Sequence, residues 1–172
     1  RIYVVNGDAM TRFLAHVEDY RERETPAYDV YPPSLEEPYR SSRFKVGEDM
    51  YALLGIPRED KPARLRRLRE NFRFFGAPAA LFCFVDRKMG MPQWSDLGMF
   101  LQTFMLLAQE AGLSTCAQEA WAGRPGAVST FVGAPAEQMI FCGMAVGEAD
   151  DTAPVNALVA DREPLDVFAT FL

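Results

Sequence analysis

Few side chains in this sequence have the type and spacing that enzymatic chemistry requires. His16 is the only histidine, and no G-x-S-x-G nucleophile elbow is present, so a Ser-His-Asp triad has no support. The adjacent acids Glu36-Glu37, Glu59-Asp60 and Asp150-Asp151 fall in predicted loops, where solvated charge is the ordinary role. We therefore predict no catalytic residue in the chain itself, and expect an enzyme of this sequence to take its reactive group from a cofactor.

Nucleotide and metal motifs are absent as well. The sequence contains neither G-x-x-x-x-G-K-[ST] nor G-x-G-x-x-G after a strand, and the glycines at 143 and 147 are typical of a close-packed strand end. Cys83, Cys116 and Cys142 lack the spacing of metal ligands, so we predict no metal site. Their odd number and wide spacing argue against a disulfide framework and favour a reducing compartment, the cytoplasm.

The composition is that of an ordinary globular protein. The chain has 172 residues, of which 49% are hydrophobic and 24% charged, and we predict a single domain over residues 1–172. The net charge of −6 argues against general nucleic-acid binding, which depends on neutralising phosphates. No apolar run reaches the roughly 20 residues that a membrane span needs.

The order of predicted elements indicates an α+β fold. Continuous apolar runs at 79–85 and 138–145 predict two central strands, and Ile2 to Val5 predicts another. Cap and periodicity signals predict helices at 8–20, 46–54, from Asp60 onward and at 125–132. Between the first two helices lies a Pro- and Tyr-rich excursion over 26–43, which we expect to be irregular.

One predicted helix has almost no polar face. It runs from Ser95 or Asp96 to Gly112, and its interior is apolar nearly all round, whereas a surface helix carries a single apolar stripe. Composition alone favours an ordinary core helix that is covered on all sides.

Several motifs follow one another in an order that resembles the nitroreductase family. They are Trp94-Ser95-Asp96-Leu97-Gly98 with Gln102, Gly112 to Glu119, Phe141 to Gly147, Ala153-Pro154-Val155-Asn156 and Arg162-Glu163-Pro164. Each motif alone is weak, and their order along the chain carries the resemblance.

The resemblance implies a fold and an activity. The implied fold is α+β, with a central, mostly antiparallel sheet flanked by helices in an intertwined homodimer that binds two FMN molecules at its interface. In such a dimer the apolar helix is expected to pack against its own sheet on one side and against the second subunit on the other. The implied activity is ping-pong reduction of a small-molecule acceptor, such as a nitroaromatic compound or a quinone, with NADH or NADPH as electron donor. Because the flavin N5 atom does the chemistry, no catalytic side chain is named.

The resemblance also implies where FMN binds. Arg73, with Asn71 as its neighbour, is the candidate cation for the N1 and C2 carbonyl region, where negative charge gathers on reduction. The backbone of the loop Ala117-Gln118-Glu119-Ala120 is expected near N5. Arg162 matches a phosphate ligand, and Asn156 an additional polar contact.

The sequence departs from the family pattern in two places. Ala157, Val159 and Ala160 stand where relatives often have basic residues. The family's N-terminal Arg-x-Ser-x-Arg and Asn-x-Gln-Pro-Trp segments are absent. We expect either a longer protein in which they precede Arg1, or a chain that binds FMN weakly, and favour the longer protein. Two alternatives remain open: a specialised flavoenzyme of the same fold (a dehalogenase, a flavin-cleaving enzyme or a peptide-modifying dehydrogenase), and a non-catalytic protein that binds flavin or dimerises.

Overall fold

A computed structural model describes residues 1–172 of the chain. The strands are β1 (Ile2–Asn6), β2 (Ala79–Asp86), β3 (Ser114–Gln118) and β4 (Gln138–Gly147). The α-helices are α1 (Gly7–Asp19), α2 (Tyr39–Leu53), α3 (Lys61–Arg69), α4 (Met91–Glu110), α5 (Pro125–Val132) and α6 (Leu165–Phe168). Three 3-10 segments cover Glu70–Gly76, Glu119–Gly123 and Pro154–Ala157.

The four strands form one antiparallel sheet in the order β1-β2-β4-β3, which confirms the predicted α+β class. The apolar strands β2 and β4 lie in the middle, as their continuous hydrophobic runs predict. A β-bulge interrupts their pairing, because Cys83 pairs with Cys142 while Phe84 pairs with Ile140. Phe141 is the extra residue, so Ile140 and Cys142 face opposite sides of the sheet although they are two residues apart.

Within the single domain that the sequence predicts over residues 1–172, the contacts group the chain into two compact units. The first unit comprises residues 1–33 and 66–149, and the second comprises residues 34–65 and 150–172. The sheet and both apolar clusters belong to the first unit. One cluster, built around Phe13, Phe82 and Trp121, lies under α1 and α5, and the other joins Leu81 and Cys83 of β2 to α4.

The sequence places the start of α4 incorrectly. The helix begins at Met91 rather than near Ser95, because Pro92 suits a first turn and the Gln93 side chain accepts a hydrogen bond from the Gly90 N–H at 3.2 Å. Its end is as predicted, since Gly112 adopts a φ of 77° just beyond the last turn.

The nearly apolar surface of α4 is confirmed. Leu101 and Ala108 are buried against the sheet, and Met99, Leu106 and Leu107 on other faces are 59 to 61% exposed. None of the helices in the chain is both long and apolar enough to cross a lipid bilayer.

The second unit contains α2, which starts earlier than the sequence predicts. The helix begins at Tyr39, inside the stretch expected to be irregular, because Pro38 is the last proline before a helix-compatible run and itself occupies the N-cap position. Within this unit Arg64 forms a bidentate ion pair with Glu48, and Lys45 pairs with Asp49 at 2.6 Å and with Asp161 at 2.9 Å. Pro154–Ala157 contacts α2.

Candidate functional site

Two of the predicted cofactor-binding segments meet at a buried glutamine. Gln118 ends β3 and is 2% exposed, and it is the one polar residue in the buried core. Its Nε2 donates a hydrogen bond to the backbone carbonyl of Asn71 at 2.8 Å and makes a longer contact with Asn71 Oδ1 at 3.4 Å. The structure therefore joins Asn71 and Gln118, which are 47 residues apart in the sequence.

Asn71 is engaged by the protein on both sides of its amide. Its Nδ2 donates to the carbonyl of Leu68 at 2.9 Å, in the last turn of α3, and its Oδ1 faces Gln118. The side chain thus satisfies one of the carbonyls that a helix end leaves without a partner. Asn71 consequently holds the segment that carries Arg73 through one of the two N–H groups of its side-chain amide.

Arg73 presents an unpaired positive charge. Its side chain is exposed and forms no ion pair with a carboxylate. It lines an open cavity of about 770 Å³ together with Phe72, Arg69 and Arg124. Unlike Arg73, Arg124 is neutralised by the carboxylate of Glu24.

The backbone after Arg73 is held in a strained conformation. Phe74 and Phe75 have positive φ angles of 50° and 53°, which non-glycine residues adopt at a cost. Phe74 is completely buried, and its ring centroid lies 4.9 Å from that of Trp121. Aromatic packing therefore fixes the course of the chain around Arg73.

The loop after β3 is anchored at both ends. Gln118 holds its start, and Trp121, which is completely buried among Phe13, Phe72 and Phe82, holds its end. Between these anchors Glu119 is exposed and Ala120 is half-buried. The Glu119–Gly123 segment contacts the Glu70–Gly76 segment directly. Of the stretch predicted as a loop, Ala117 and Gln118 belong to β3, which pairs with β4.

A close approach between Trp121 and Gly143 makes this anchor possible. A Cβ atom at position 143 would lie 2.9 Å from Trp121 Nε1 and closer still to Cδ1. Two buried polar atoms in the same motif, Gln118 Oε1 and Trp121 Nε1, have no hydrogen-bond partner in the protein. Leaving such a group unsatisfied costs about 1 to 3 kcal/mol, so the segment is stabilised by packing and not by polar contacts alone.

The sequence gives no direct indication of an aromatic cluster beside this loop. Tyr28 donates its hydroxyl hydrogen to the carbonyl of Phe141, the bulge residue of β4, and packs edge-on against Trp94 at 5.5 Å. Burial, with a further contribution from the charge of Glu119, raises the pKa of Tyr28. The aromatic content of the excursion was the available signal, but it does not identify the strand that Tyr28 contacts.

Asn156 and Arg162 belong to the second unit. Asn156 Nδ2 donates to the carbonyl of Asp150 at 2.9 Å, so its amide stabilises a turn. Arg162 is exposed, and its Nη1 donates only to the carbonyls of Ala160 and Asp161, at 3.0 and 3.1 Å. Its charge, like that of Arg73, is not neutralised by a carboxylate.

These residues fit the demands of FMN. The ring requires a fixed cation near its pyrimidine end and backbone near N5, and the phosphate requires a guanidinium. In the first unit, Arg73 and the anchored backbone at 119–120 lie on contacting segments and have the charge and exposed main chain that the ring requires. Arg162, taken by itself, is an exposed guanidinium of the kind that a phosphate requires. Neither Arg73 nor Arg162 forms an ion pair with a carboxylate of the chain.

Known proteins resemble this chain along its whole length. The sequence model of the nitroreductase family matches residues 1–148. The nitrobenzene nitroreductase of Ectopseudomonas oleovorans is 36% identical over 176 residues, which cover 100% of this chain and 78% of the relative. The 4-nitrobenzoate reductase of Pseudomonas putida is 40% identical over 141 residues, covering 82% of this chain and 62% of the relative.

Solved structures show the same likeness. The FMN- and NADPH-dependent nitroreductase NfnB of Sphigopyxis sp. strain HMH superposes with a TM-score of 0.93 at 42% identity, covering 100% of this chain and 79% of that one. The FMN-dependent NfnB of Mycobacterium smegmatis, solved in complex with NADPH, has a TM-score of 0.91 at 27% identity over 100% of this chain and 78% of that one. By sequence and by fold, the chain belongs to the nitroreductase family.

Proposed function

We propose that this protein is an FMN-dependent oxidoreductase that uses NADH or NADPH to reduce nitroaromatic compounds or similar electrophiles. The observation that carries the proposal is the hydrogen bond from Gln118 to Asn71, which brings the unpaired Arg73 segment and the anchored loop at 119–120 together. When bound, FMN would supply the hydride-transfer chemistry that links the nicotinamide to the acceptor.

Arg73 supplies the charge that this chemistry needs. A fixed guanidinium near N1 and the C2 carbonyl stabilises the negative charge that gathers there on reduction. Because no carboxylate neutralises Arg73, its whole charge is available to the ring. Asn71 contributes by fixing the segment through one N–H group of its side-chain amide.

The backbone from Ala117 to Ala120 serves as the N5 side of the site. The Gln118 side chain is turned inward and buried, so within this segment the ligand meets main chain together with the exposed Glu119 and the half-buried Ala120. No general acid or base is assigned, since protons reach an open site from water.

The phosphate of FMN is assigned to Arg162, with Asn156 close by in the chain. A planar guanidinium binds two phosphate oxygens at once. Carbonyl oxygens are the only partners Arg162 has within its unit, and it can exchange them for a stronger, doubly charged acceptor. Asn156 stabilises the turn over residues 150–156 through its hydrogen bond to the Asp150 carbonyl.

The acceptor class follows from the relatives. Their names specify nitrobenzene, chloronitrobenzene and 4-nitrobenzoate as the compounds on which they act. The neighbouring structures are described as NADPH-dependent or contain NADPH. We extend these activities to this chain as a reductase of small nitroaromatic compounds.

We also propose a cytoplasmic homodimer. The outer face of α4 exposes Met99, Phe100, Leu106 and Leu107, an apolar surface of the kind that obligate interfaces cover. The free thiols of Cys83 and Cys142, which pair across adjacent strands without a disulfide, suit a reducing compartment.

Binding and redox measurements on two arginine variants test this function. We expect the purified protein to bind FMN, and Arg73→Ala to lower the flavin midpoint potential because the reduced ring loses its fixed cation. Arg66→Ala is the matched control, since Arg66 is exposed on α3 and makes no ion pair. A midpoint potential that is unchanged in Arg73→Ala, or changed equally in both variants, would refute the role of Arg73.

A further inference from the structure

The buried side chain of Gln118 has a function of its own, distinct from the backbone contact expected at this position. The residue is 2% exposed, so its amide cannot reach a ligand on the surface of the site. A buried amide is nevertheless costly unless its polar atoms are satisfied, and here Oε1 has no partner. The hydrogen bonds that the side chain does make are both donated by Nε2, and both acceptors belong to Asn71.

The contact with Asn71 controls the position of a charged neighbour. Asn71 lies two residues before Arg73 in the same 3-10 segment, and its own amide ties that segment to the last turn of α3. Directly after Arg73 the backbone passes through the positive φ angles of Phe74 and Phe75. A strained segment persists only where its surroundings hold it, and Gln118 is the residue that holds it from the β3 side.

The donor character of Gln118 is essential to this contact. The partner at 2.8 Å is a backbone carbonyl, which can only accept a hydrogen bond. Leucine at this position would fill much of the space but would remove the side-chain donor that holds this carbonyl. An ionised carboxylate would set negative charge against the carbonyl oxygen, whereas a protonated one could again donate an O–H.

We propose that Gln118 is a positioning residue, which holds Arg73 in place relative to the backbone at Glu119 and Ala120 through its hydrogen bond to the Asn71 carbonyl. This inference rests on the proposed function, because its consequence is expressed in the bound flavin. The side chain of Gln118 touches neither cofactor nor substrate, because it is buried. Loss of its side-chain donor changes the flavin by releasing the segment that carries the cation.

The experiment measures the midpoint potential of bound FMN, its dissociation constant and the melting temperature of the protein for three variants. In Gln118→Leu, we expect reduced FMN to lose about tenfold in binding relative to oxidised FMN, which lowers the midpoint potential by about 30 mV for a two-electron couple. Val128→Ala is the control for destabilisation alone, because Val128 is completely buried in the same unit and makes no contact with Gln118 or Asn71 through a hydrogen bond. It should lower the melting temperature and leave the potential unchanged.

Gln118→Glu gives a signature that a merely structural role would not produce. We expect its potential, compared with that of the wild type at each pH, to be lowered at about pH 8 and to recover towards about pH 5.5, as the new buried carboxyl takes up a proton and becomes a donor again. In Gln118→Leu the difference from the wild type should not depend on pH. This variant also keeps the test decisive if Gln118→Leu does not fold.

The outcomes separate the two proposals. If wild-type protein binds FMN and Gln118→Glu keeps the wild-type potential throughout this pH range, the positioning role is refuted while the proposed function stands. If Gln118→Leu and Val128→Ala both lower the melting temperature and both leave the potential unchanged, Gln118 is only a structural residue. If wild-type protein does not bind FMN at all, the proposed function fails, and the positioning role fails with it.

Discussion

Replacement of Gly143 by alanine tests the packing that anchors the candidate site. Gly143 lies in β4 opposite Gln118, and an added Cβ would lie 2.9 Å from Trp121 Nε1 and 3.0 Å from Cγ. The indole cannot move aside easily, because Trp121 is completely buried and its ring packs on those of Phe72 and Phe74. Inserting a methyl group into such a core typically costs about 1 to 3 kcal/mol, and we expect Gly143→Ala to lie at the upper end of that range.

The measurement is a thermal or urea unfolding curve, followed by a titration with FMN to measure binding. For a chain of this size a loss of about 3 kcal/mol lowers the melting temperature by about 6 to 12 °C. Gly123→Ala is the matched control, since Gly123 belongs to the same Glu119–Gly123 segment and a Cβ there meets no atom within 4 Å. We expect the control to stay within about 0.5 kcal/mol of the wild type. Equal melting temperatures for the two variants would show that Trp121 does not fix the loop.

Four further predictions address the phosphate site, the outer face of α4 and the cysteine thiols. Arg162→Ala should raise the dissociation constant of FMN at least tenfold, because a charge pair with the phosphate is lost. Arg23 is an exposed arginine without an ion pair, so the control Arg23→Ala should leave this constant unchanged. Unchanged affinity in Arg162→Ala would refute the assignment. Leu107→Glu should convert a dimer into a monomer in light scattering, because Leu107 is 59% exposed on the apolar face of α4, and a monomeric wild type would contradict this. A thiol reagent should label the exposed Cys116 first in the folded protein, and rapid labelling of Cys142 would contradict its burial. Burial raises the pKa of the Cys142 thiol to about 12, whereas the value in an unfolded chain is about 8.5. The stability that the neutral thiol contributes is therefore complete below about pH 8.5 and is lost as the pH rises from there towards 12. Unfolding curves at increasing pH would measure this loss.

The sequence predicts the central elements of the fold because their signals are local. The apolar runs of β2 and β4 and the apolar surface of α4 require no knowledge of partners. By contrast, Ser114–Gln118 shows no hydrophobic alternation, and its strand is stabilised by pairing with β4. The early start of α4 depends on Pro92 and on the Gln93 cap. In a sequence, these residues are weaker indicators of a helix start than Ser95 and Asp96.

The candidate site likewise contains features that the sequence predicts and features that depend on tertiary contacts. Arg73 and the backbone at 117–120 are identified by the resemblance, because they lie at fixed places in the order of motifs. The burial of Gln118 cannot be predicted locally, since its partner Asn71 is 47 residues away. The contact of Tyr28 with the bulge at Phe141 is likewise a product of tertiary structure.

An anaerobic titration of the FMN-loaded protein examines the proposed function as a whole. We expect NADH or NADPH to bleach the flavin absorption band, and added 4-nitrobenzoate or nitrobenzene to restore it in a second, separate step, as a ping-pong cycle requires. Protein that remains colourless after incubation with FMN, or bound flavin that neither nicotinamide bleaches, would contradict the assignment of this chain as a flavin-dependent nitroaromatic reductase.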